Sequence, residues 1–246
     1  MSILGQNCLS LEGTRKKIEE AFKPDRLAGV LVTVNSPGGS PVQSDLMTSY
    51  LQLQARKTKV PVTVFVEDMA ASGGYWLACA GDNIYASQTS ILGSLGVIYS
   101  GLGLTELIGK IGVERRLITA GKSKALMDPL SPTKEEDVAI ISKMCSDIHQ
   151  VFIDHVKTSR GSRLVGSDEE IFNGAVWTAE AAVKLGLIDG IDNVESYIHR
   201  NFGEQVKIKR MRSKFEEIFE SFGAHSLFSK PSLSELIDGD SHKIRT

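Results

Sequence analysis

The sequence lacks most features that would assign it to a disulfide, metal or nucleic-acid-binding class. Its three cysteines, Cys8, Cys79 and Cys145, are an odd number at wide spacing, and no Cys-x-x-Cys occurs. This favours buried free thiols in a reducing compartment. The five histidines are scattered without metal-ligand spacing. A net charge of −2 and a pI of about 6.2 give no general attraction to nucleic acid.

Long apolar runs are also missing. No stretch approaches the ~20 apolar residues that a bilayer-spanning helix needs, and residues 1–6 lack the basic-then-apolar order of a secretory signal. These absences favour a soluble cytoplasmic or membrane-peripheral protein and leave the compartment open. At 246 residues, 41% of them hydrophobic, the chain is long enough for one large globular domain.

Short apolar runs alternate with segments of helical periodicity. The runs at 30–34 and 60–66 have the pattern of buried parallel strands. Such alternation implies right-handed βαβ crossovers and an α/β fold with a parallel β-sheet core and flanking helices. Further strands are expected at residues 83–86, 94–99 and 114–119, and helices at residues 11–22, 43–55, 73–80 and 102–111.

Three capping signals mark the later helices. Thr133 with Glu136 three residues on has the form of a capping box, and it predicts a long helix running to about residue 158. Ser167 repeats the signal. Thr178 predicts a helix that ends near Gly186.

The last part of the chain differs in character, so we divide it into a single domain over 1–203 and a tail over 204–246. Residues 206–214 are basic, and we expect the polar residues from 226 onward to be disordered. After the basic stretch, one helical face of the tail would carry Phe215, Ile218, Phe219 and Phe222. This apolar face could contact an anionic membrane surface or dock on a neighbouring subunit.

Ser72 is the candidate nucleophile. It lies between small residues and a glycine pair, after a predicted strand and before a predicted helix. A tight turn at this place could leave its hydroxyl exposed, as in other nucleophile elbows. The alternative is that Ser72 only caps the helix, as most serines before helices do.

A lysine could activate this serine without any histidine. A lysine acts as a general base only where burial lowers its pKa. Residues 121–125, Gly-Lys-Ser-Lys-Ala, offer both Lys122 and Lys124. Apolar neighbours at 125–127 favour Lys124.

Glycine amides could stabilise the oxyanion. Gly39, in the turn at residues 35–40, and Gly73 are the candidate donors, and Gly38 is an alternative to Gly39. The turn could instead serve only to follow a strand. With nucleophile, base and oxyanion donors all represented, the sequence indicates a Ser-Lys hydrolase.

Five motifs occur in the order found in a known family. Over residues 27–192 the chain resembles the signal peptide peptidase A / protease IV family of serine peptidases (peptidase family S49), including its short SohB-like members. The resemblance implies the ClpP/crotonase-like superfamily fold. The motifs lie at residues 34–40, 69–75, 90–97 and 120–124, and at 176–182 together with 186–189.

The resemblance also implies roles for individual residues. In the family's Gly-x-x-Lys pattern the catalytic lysine is the fourth position, which is Lys124 here. Ser94 occupies the position of a serine that orients the lysine, and Gly39 and Gly73 those of the oxyanion donors. The implied reaction is peptide-bond hydrolysis through an acyl-enzyme on Ser72, with no metal or organic cofactor.

The resemblance implies substrates and partners as well. Expected substrates are extended peptides with small or apolar side chains, such as signal-peptide remnants and membrane-protein fragments. Short members form homo-oligomers in which the lysine completes the site of an adjacent protomer. Many members carry an N-terminal anchor and a first strand that this chain lacks, which suggests a soluble variant or a truncated start.

Two other functions stay open at this point. A crotonase-like acyl-CoA enzyme would share the fold and the amide oxyanion hole, but it would use carboxylates for proton transfer. A non-catalytic assembly module of the same fold is the other. The presence of both Ser72 and Lys124 argues against each.

Overall fold

The computed structural model describes residues 10–211, and the chain divides after Val206, so the fold below is that of the unit ending there. Its strands are β1 (Val30–Ser36), β2 (Val62–Ala71), β3 (Asn83–Ala86), β4 (Ile91–Gly93), β5 (Val176–Thr178) and β6 (Gly190–Ile191). Its α-helices are α1 (Leu11–Ala21), α2 (Pro41–Thr58), α3 (Gly73–Ala78), α4 (Thr105–Lys110), α5 (Glu135–Arg160), α6 (Asp168–Ile171), α7 (Ala179–Lys184) and α8 (Val194–Phe202). The α/β class predicted from the sequence is confirmed.

The sheet is organised around β2. One edge of β2 pairs in parallel with β1, and the other edge pairs in parallel first with β3 and then with β4. β6 extends the sheet beyond β3, and β5 joins β4 as an antiparallel strand. The strand order is therefore β5-β4-β2-β3-β6, with β1 attached to β2 outside this path.

An irregularity in β2 separates its two halves. Val34 lies opposite Val66, whereas Ser36 lies opposite Ala70, so β2 contains extra residues between these two pairs. A bulge of this kind bends the strand and increases its twist. At the bend β2 changes its partner from β3 to β4, and the carboxyl ends of β2 and β4 consequently lie side by side.

The core explains why these elements form. The first half of β2 is buried on both faces, which is the pattern of a parallel strand covered by helices. Every residue of α3 is buried, so the segment directly after β2 is enclosed by the fold. The largest buried apolar side chains include Val62, Val64, Phe65, Tyr75, Trp76, Ile84, Leu92, Phe152, Val156 and Leu187.

Two predicted strands are wrong. The strand expected at 94–99 is replaced by β4, which ends at Gly93, because Gly93 and Ser94 both have positive φ values (114° and 52°) that break extended pairing. The strand expected at 114–119 is absent from the described chain. All its residues are exposed, and no neighbouring strand pairs with them.

The capping predictions have mixed outcomes. The Ser167 cap is confirmed, since its hydroxyl accepts the Glu170 amide at 3.1 Å. Thr178 stands at the start of α7 but makes no side-chain capping bond. The capping box at Thr133 is wrong: α5 begins at Glu135 with Lys134 at its N-cap.

Some sequence predictions lie outside residues 10–211. These are the amphipathic tail from Phe215 onward and the free thiol of Cys8. Within the described range, Cys79 and Cys145 are free thiols. Cys79 is buried as expected, whereas Cys145 is only half-buried. No helix in that range combines the length and the apolar character needed to cross a bilayer.

A buried ion pair ties α5 to the sheet. Arg160, which is 1% exposed, donates from both terminal nitrogens to the carboxylate of Asp189 at 2.9 and 3.0 Å, and from Nε to the Gly186 carbonyl at 2.9 Å. The same carboxylate accepts the Ile84 amide of β3 at 2.7 Å. Burial alone would raise the pKa of Asp189, but the bonds from Arg160 and Ile84 outweigh it and lower that pKa.

We predict that Asp189→Asn lowers the free energy of unfolding by about 3 kcal/mol at neutral pH, because it leaves the buried Arg160 charge without its anionic partner. Because the pKa of Asp189 is lowered, its contribution is complete above the ordinary carboxyl value and is lost as pH falls through the lowered value. Denaturant unfolding at several pH values measures both effects. Asp147→Asn, which breaks the exposed Lys143–Asp147 pair on the same helix, is the control and should cost under about 0.5 kcal/mol. Equal losses in the two variants would contradict the assignment.

Candidate active site

Ser72 occupies a strained turn between β2 and α3. Its φ is 51° and its ψ is −121°, a conformation that non-glycine residues rarely adopt outside functional turns. The Ser72 amide donates to the Gly93 carbonyl at 2.8 Å, and the Ser72 carbonyl accepts the amides of Tyr75 and Trp76 at 2.9 and 3.0 Å. The Ser72 hydroxyl makes no capping bond to α3. The turn is thus fixed through its backbone, while the hydroxyl is left for other partners.

The glycine turn after β1 packs against the Ser72 turn. A methyl group on Gly38 would lie 2.9 Å from both the Ala71 carbonyl oxygen and Ser72 Cβ, so only glycine allows this approach. The Gly39 amide nitrogen lies 3.3 Å from the place where a Cβ on Gly73 would stand. A Cβ on Gly39 would meet no atom within 4 Å. Gly39 and Gly73 are therefore neighbours beside Ser72, and open space adjoins Gly39.

Two buried serines that sequence reasoning missed hold this turn. Ser36 Oγ accepts the Gly38 amide at 3.2 Å. Ser44 Oγ donates to the Ser40 carbonyl at 3.2 Å and lies 2.4 Å from the position of a Cβ on Gly73. Ser44 therefore links the start of α2 to the residue after the candidate nucleophile. In the sequence, the signal for the start of α2 is a serine at the N-cap, Ser40, followed by a proline at the first helical position, Pro41.

Ser94 lies directly beyond the strand that binds the Ser72 amide. It is half-buried, with a φ of 52°. Its amide donates to the Ala175 carbonyl at 2.6 Å, and its carbonyl accepts the Gly96 amide at 2.9 Å. The hydrogen bond from Ser72 to Gly93 places the Ser72 and Ser94 turns next to each other at one end of the sheet.

The two lysines lie on an exposed segment. Lys122 pairs with Glu136 at 2.9 Å, and both side chains are largely exposed. Lys124 is also exposed, and within residues 10–211 its side chain makes no hydrogen bond or ion pair. The structure therefore brings Ser72, Gly39, Gly73 and Ser94 together, but it records no contact between Lys124 and this group.

Other nucleophilic groups near Ser72 are held inert by burial. Burial raises the pKa of the Cys79 thiol to about 12, so this side chain stays protonated at neutral pH. Burial likewise raises the pKa of Tyr75, whose hydroxyl donates to the Leu187 carbonyl at 2.6 Å. Residues 10–211 also contain no group of three or more His, Cys, Asp or Glu side chains arranged to hold a metal ion. Ser72, by contrast with Cys79 and Tyr75, is only half-buried.

Comparison with known proteins decides the family. Residues 54–208, more than half of the chain, match the description Peptidase family S49. The chain belongs to peptidase family S49. The matched range includes Ser72, Ser94 and Lys124, and the mixed α/β fold with its curved sheet agrees with this family.

Individual relatives share the same region. The chain is 34% identical over 184 residues to the chloroplastic serine protease SPPA of Arabidopsis thaliana, covering 74% of this chain and 27% of that protein. It is 31% identical over 176 residues to an Enterococcus faecium protein whose name assigns it to the signal peptide peptidases, covering 72% and 50%. It is 44% identical over 201 residues to a Brucella abortus protein named Na(+)/H(+) antiporter NhaA, covering 82% and 27%. The chain thus spans half or less of these relatives.

The family match bears on one of the alternatives left by the sequence. The match is to a peptidase family, and the Arabidopsis thaliana relative is named a serine protease. Both findings favour a peptidase over a crotonase-like acyl-CoA enzyme.

We predict that Gly73→Ala lowers kcat/KM for peptide hydrolysis by about 100-fold or more, because the new methyl group would stand 2.4 Å from the buried Ser44 Oγ, and we expect the Gly73 amide to shift as the clash is relieved. Adding Ser44→Ala should recover part of the loss, since Ser44 Cβ lies 3.5 Å from the same position, an ordinary contact. Gly29→Ala, where a Cβ would make only ordinary contacts of 3.5 and 3.8 Å with Pro61, is the control. Full activity in Gly73→Ala, or no recovery in the double variant, would contradict this account.

Proposed function

We propose that this chain is a serine endopeptidase that uses a Ser72–Lys124 dyad. The neutral Lys124 amine takes the Ser72 proton as Oγ attacks the scissile carbonyl, and the amides of Gly39 and Gly73 bind the resulting oxyanion. The amine then returns the proton to the leaving nitrogen, and the C–N bond breaks to give an acyl-enzyme. Water, deprotonated by the same lysine, hydrolyses the ester and restores Ser72.

One observation carries the proposal. Ser72 has a φ of 51° and no capping bond. The turn at Gly38 and Gly39 packs against it, and the Gly39 amide lies beside Gly73, the other proposed oxyanion donor. A serine that merely capped α3 would have extended backbone angles and would bond the helix amides. Backbone strain of this kind is typical of nucleophiles in tight strand-to-helix turns.

A single chain does not place the proposed base, Lys124, in the environment that the mechanism needs. An exposed lysine is hydrated and charged at neutral pH, and only desolvation favours the neutral amine. Lys124 is exposed in the chain by itself. The proposal therefore includes a homo-oligomer in which an adjacent protomer covers Lys124. In this assembly, Lys124 of one chain reaches Ser72 of the adjacent chain.

The apolar surface before Lys124 supports such an assembly. Ile98, Leu102 and Ile118 are 88%, 77% and 99% exposed. Monomeric soluble proteins rarely expose so many large apolar side chains in one segment, and a second copy of the chain is a partner that would cover them. The same segment exposes further apolar side chains at Leu107, Ile111, Val113 and Leu117.

The proposed substrates are signal-peptide remnants or fragments of membrane proteins. The Enterococcus faecium relative carries the name of a signal peptide peptidase, and such substrates present extended, apolar segments. The open space beside Gly39 would let the backbone of an extended peptide approach the oxyanion donors closely.

We predict that Ser72→Ala and Lys124→Ala each lower kcat for a small-residue peptide by at least about 1,000-fold, and that Lys124→Arg fails equally because arginine keeps its proton. Lys122→Ala, at the neighbouring lysine that already pairs with Glu136, is the matched control and should keep most activity. Size-exclusion chromatography should show the same assembly for all variants. An active Ser72→Ala variant would mean that Ser72 is not the nucleophile. An inactive Lys122→Ala variant beside an active Lys124→Ala variant would reassign the base to Lys122.

We predict that mixing inactive Ser72→Ala and Lys124→Ala chains restores activity, because a site shared between protomers can take its serine from one chain and its lysine from the other. Random reassembly after co-refolding should give about a quarter of wild-type activity. A mixture of Ser72→Ala with a Ser72→Ala/Lys124→Ala double variant supplies no intact serine and is the control. If the first mixture stays inactive while its chains co-assemble, both residues of a working site come from one chain.

A further inference from the structure

Two histidines of α5 reach backbone carbonyls on either side of the candidate site. His155 Nε2 lies 3.0 Å from the Trp76 carbonyl oxygen, and His149 Nε2 lies 2.9 Å from the Leu95 carbonyl oxygen. A carbonyl oxygen can only accept a hydrogen bond, so in both rings Nε2 must carry the proton. Each histidine is thus a donor to a segment that adjoins one of the two strained serines.

The first carbonyl belongs to the helix that follows the nucleophile. The Trp76 amide donates to the Ser72 carbonyl at 3.0 Å, while the Trp76 carbonyl accepts from His155 and, at 3.4 Å, from Thr48. α3 is only 6 residues long, so its last carbonyls have few intrahelical donors. His155 supplies one of the missing donors.

Ring stacking adds a second restraint to the same residue. The Trp76 indole lies against His155 at 4.7 Å and against Phe152 at 4.9 Å between ring centres, with interplanar angles of 15° and 28°. Both partners are on one face of α5 because they are three residues apart. Burial lowers the pKa of His155, against the opposing effects of its bond to Trp76 and of Asp45 on α2. The ring is therefore mainly neutral at pH 7.

The second carbonyl belongs to the turn that contains Ser94. Leu95 is fully buried and directly follows Ser94, whose φ is 52°. The preceding residue, Gly93, accepts the Ser72 amide at 2.8 Å. One rigid helix therefore contacts both turns, and the two turns are bonded directly to each other.

We infer that His149 and His155 are positioning residues on α5 that keep the Ser72 turn and the Ser94 turn in fixed positions relative to each other. This inference rests on the proposed function, since it concerns where Ser72 is presented. A displacement of about 1 Å in a reacting group can cost about 100-fold in rate. Loss of His149 would remove the side-chain donor to the Leu95 carbonyl, and loss of His155 would leave the Trp76 carbonyl with only the longer side-chain bond from Thr48. Either loss would let the neighbouring turn shift, whereas substrate affinity would change little.

The test separates the donor from the ring. His155→Phe keeps the stack on Trp76 and removes the donor, and His149→Leu removes the other donor. His155→Gln and His149→Gln retain an N–H donor on a side chain of similar reach. His199→Gln, at a largely exposed histidine of α8, is the control. Measurements are kcat, KM, the rate at which a fluorophosphonate labels Ser72, the thermal midpoint and the assembly size.

We expect His149→Leu and His155→Phe to lower kcat and the labelling rate by about 10-fold to 100-fold, with KM within about 3-fold of wild type. The two Gln variants should stay within about 5-fold of wild-type kcat, and His199→Gln should be unchanged. The variants must remain folded and assembled at the assay temperature for the loss to count as misplacement.

Three results would overturn the inference: wild-type kcat in the donor-less variants, equal losses in the Gln and apolar variants, or losses that follow the thermal midpoint. Ser72→Ala, assayed in parallel, distinguishes this failure from that of the proposed function. If Ser72→Ala is inactive and the donor-less variants are not, only the role of the histidines fails. If Ser72→Ala is active, the nucleophile itself is misassigned.

Discussion

The candidate site depends on the change of partner along β2. The strand pairs with β3 through Val66 and with β4 from Met69 onward, and the irregularity between these halves turns its carboxyl end toward β4. Only there can the Ser72 amide reach the Gly93 carbonyl. That hydrogen bond stabilises a φ that serine would otherwise avoid, and the burial of α3 prevents the turn from relaxing.

The interior of the fold is arranged to keep this turn in place. Tyr75, three residues after Ser72, donates to Leu187, and the neighbouring Asp189 forms the buried ion pair with Arg160. Arg160 ends the same helix that carries His149 and His155. The carboxyl end of α5 is therefore attached to the sheet, and the middle of α5 contacts the site. This attachment fixes the position from which His149 and His155 make their hydrogen bonds.

The nucleophile and the base need different environments, because only the base must be removed from water. A serine in a strained turn needs a rigid, largely buried backbone, and one chain supplies this. A lysine base needs to be desolvated, and the exposed segment around Lys124 does not desolvate it within a single chain. Under the proposed function, catalysis would therefore be coupled to assembly, and an isolated chain would carry a formed nucleophile without its base.

Local sequence was sufficient wherever the signal was local. The apolar runs at 30–34 and 60–66 determined β1 and β2, and the glycine-rich turns around Ser72 and Gly39 determined the nucleophile and donor candidates. Only the tertiary structure decided that residues 94–99 and 114–119 are not strands, because an apolar run pairs only where a partner strand meets it. Likewise, only the tertiary structure revealed the roles of Ser44, His149 and His155. The carbonyl that His149 contacts lies 54 residues away in the sequence, and the one that His155 contacts lies 79 residues away. Periodicity and turn chemistry act over a few residues, whereas the satisfaction of a buried carbonyl depends on whichever side chain the fold brings to it.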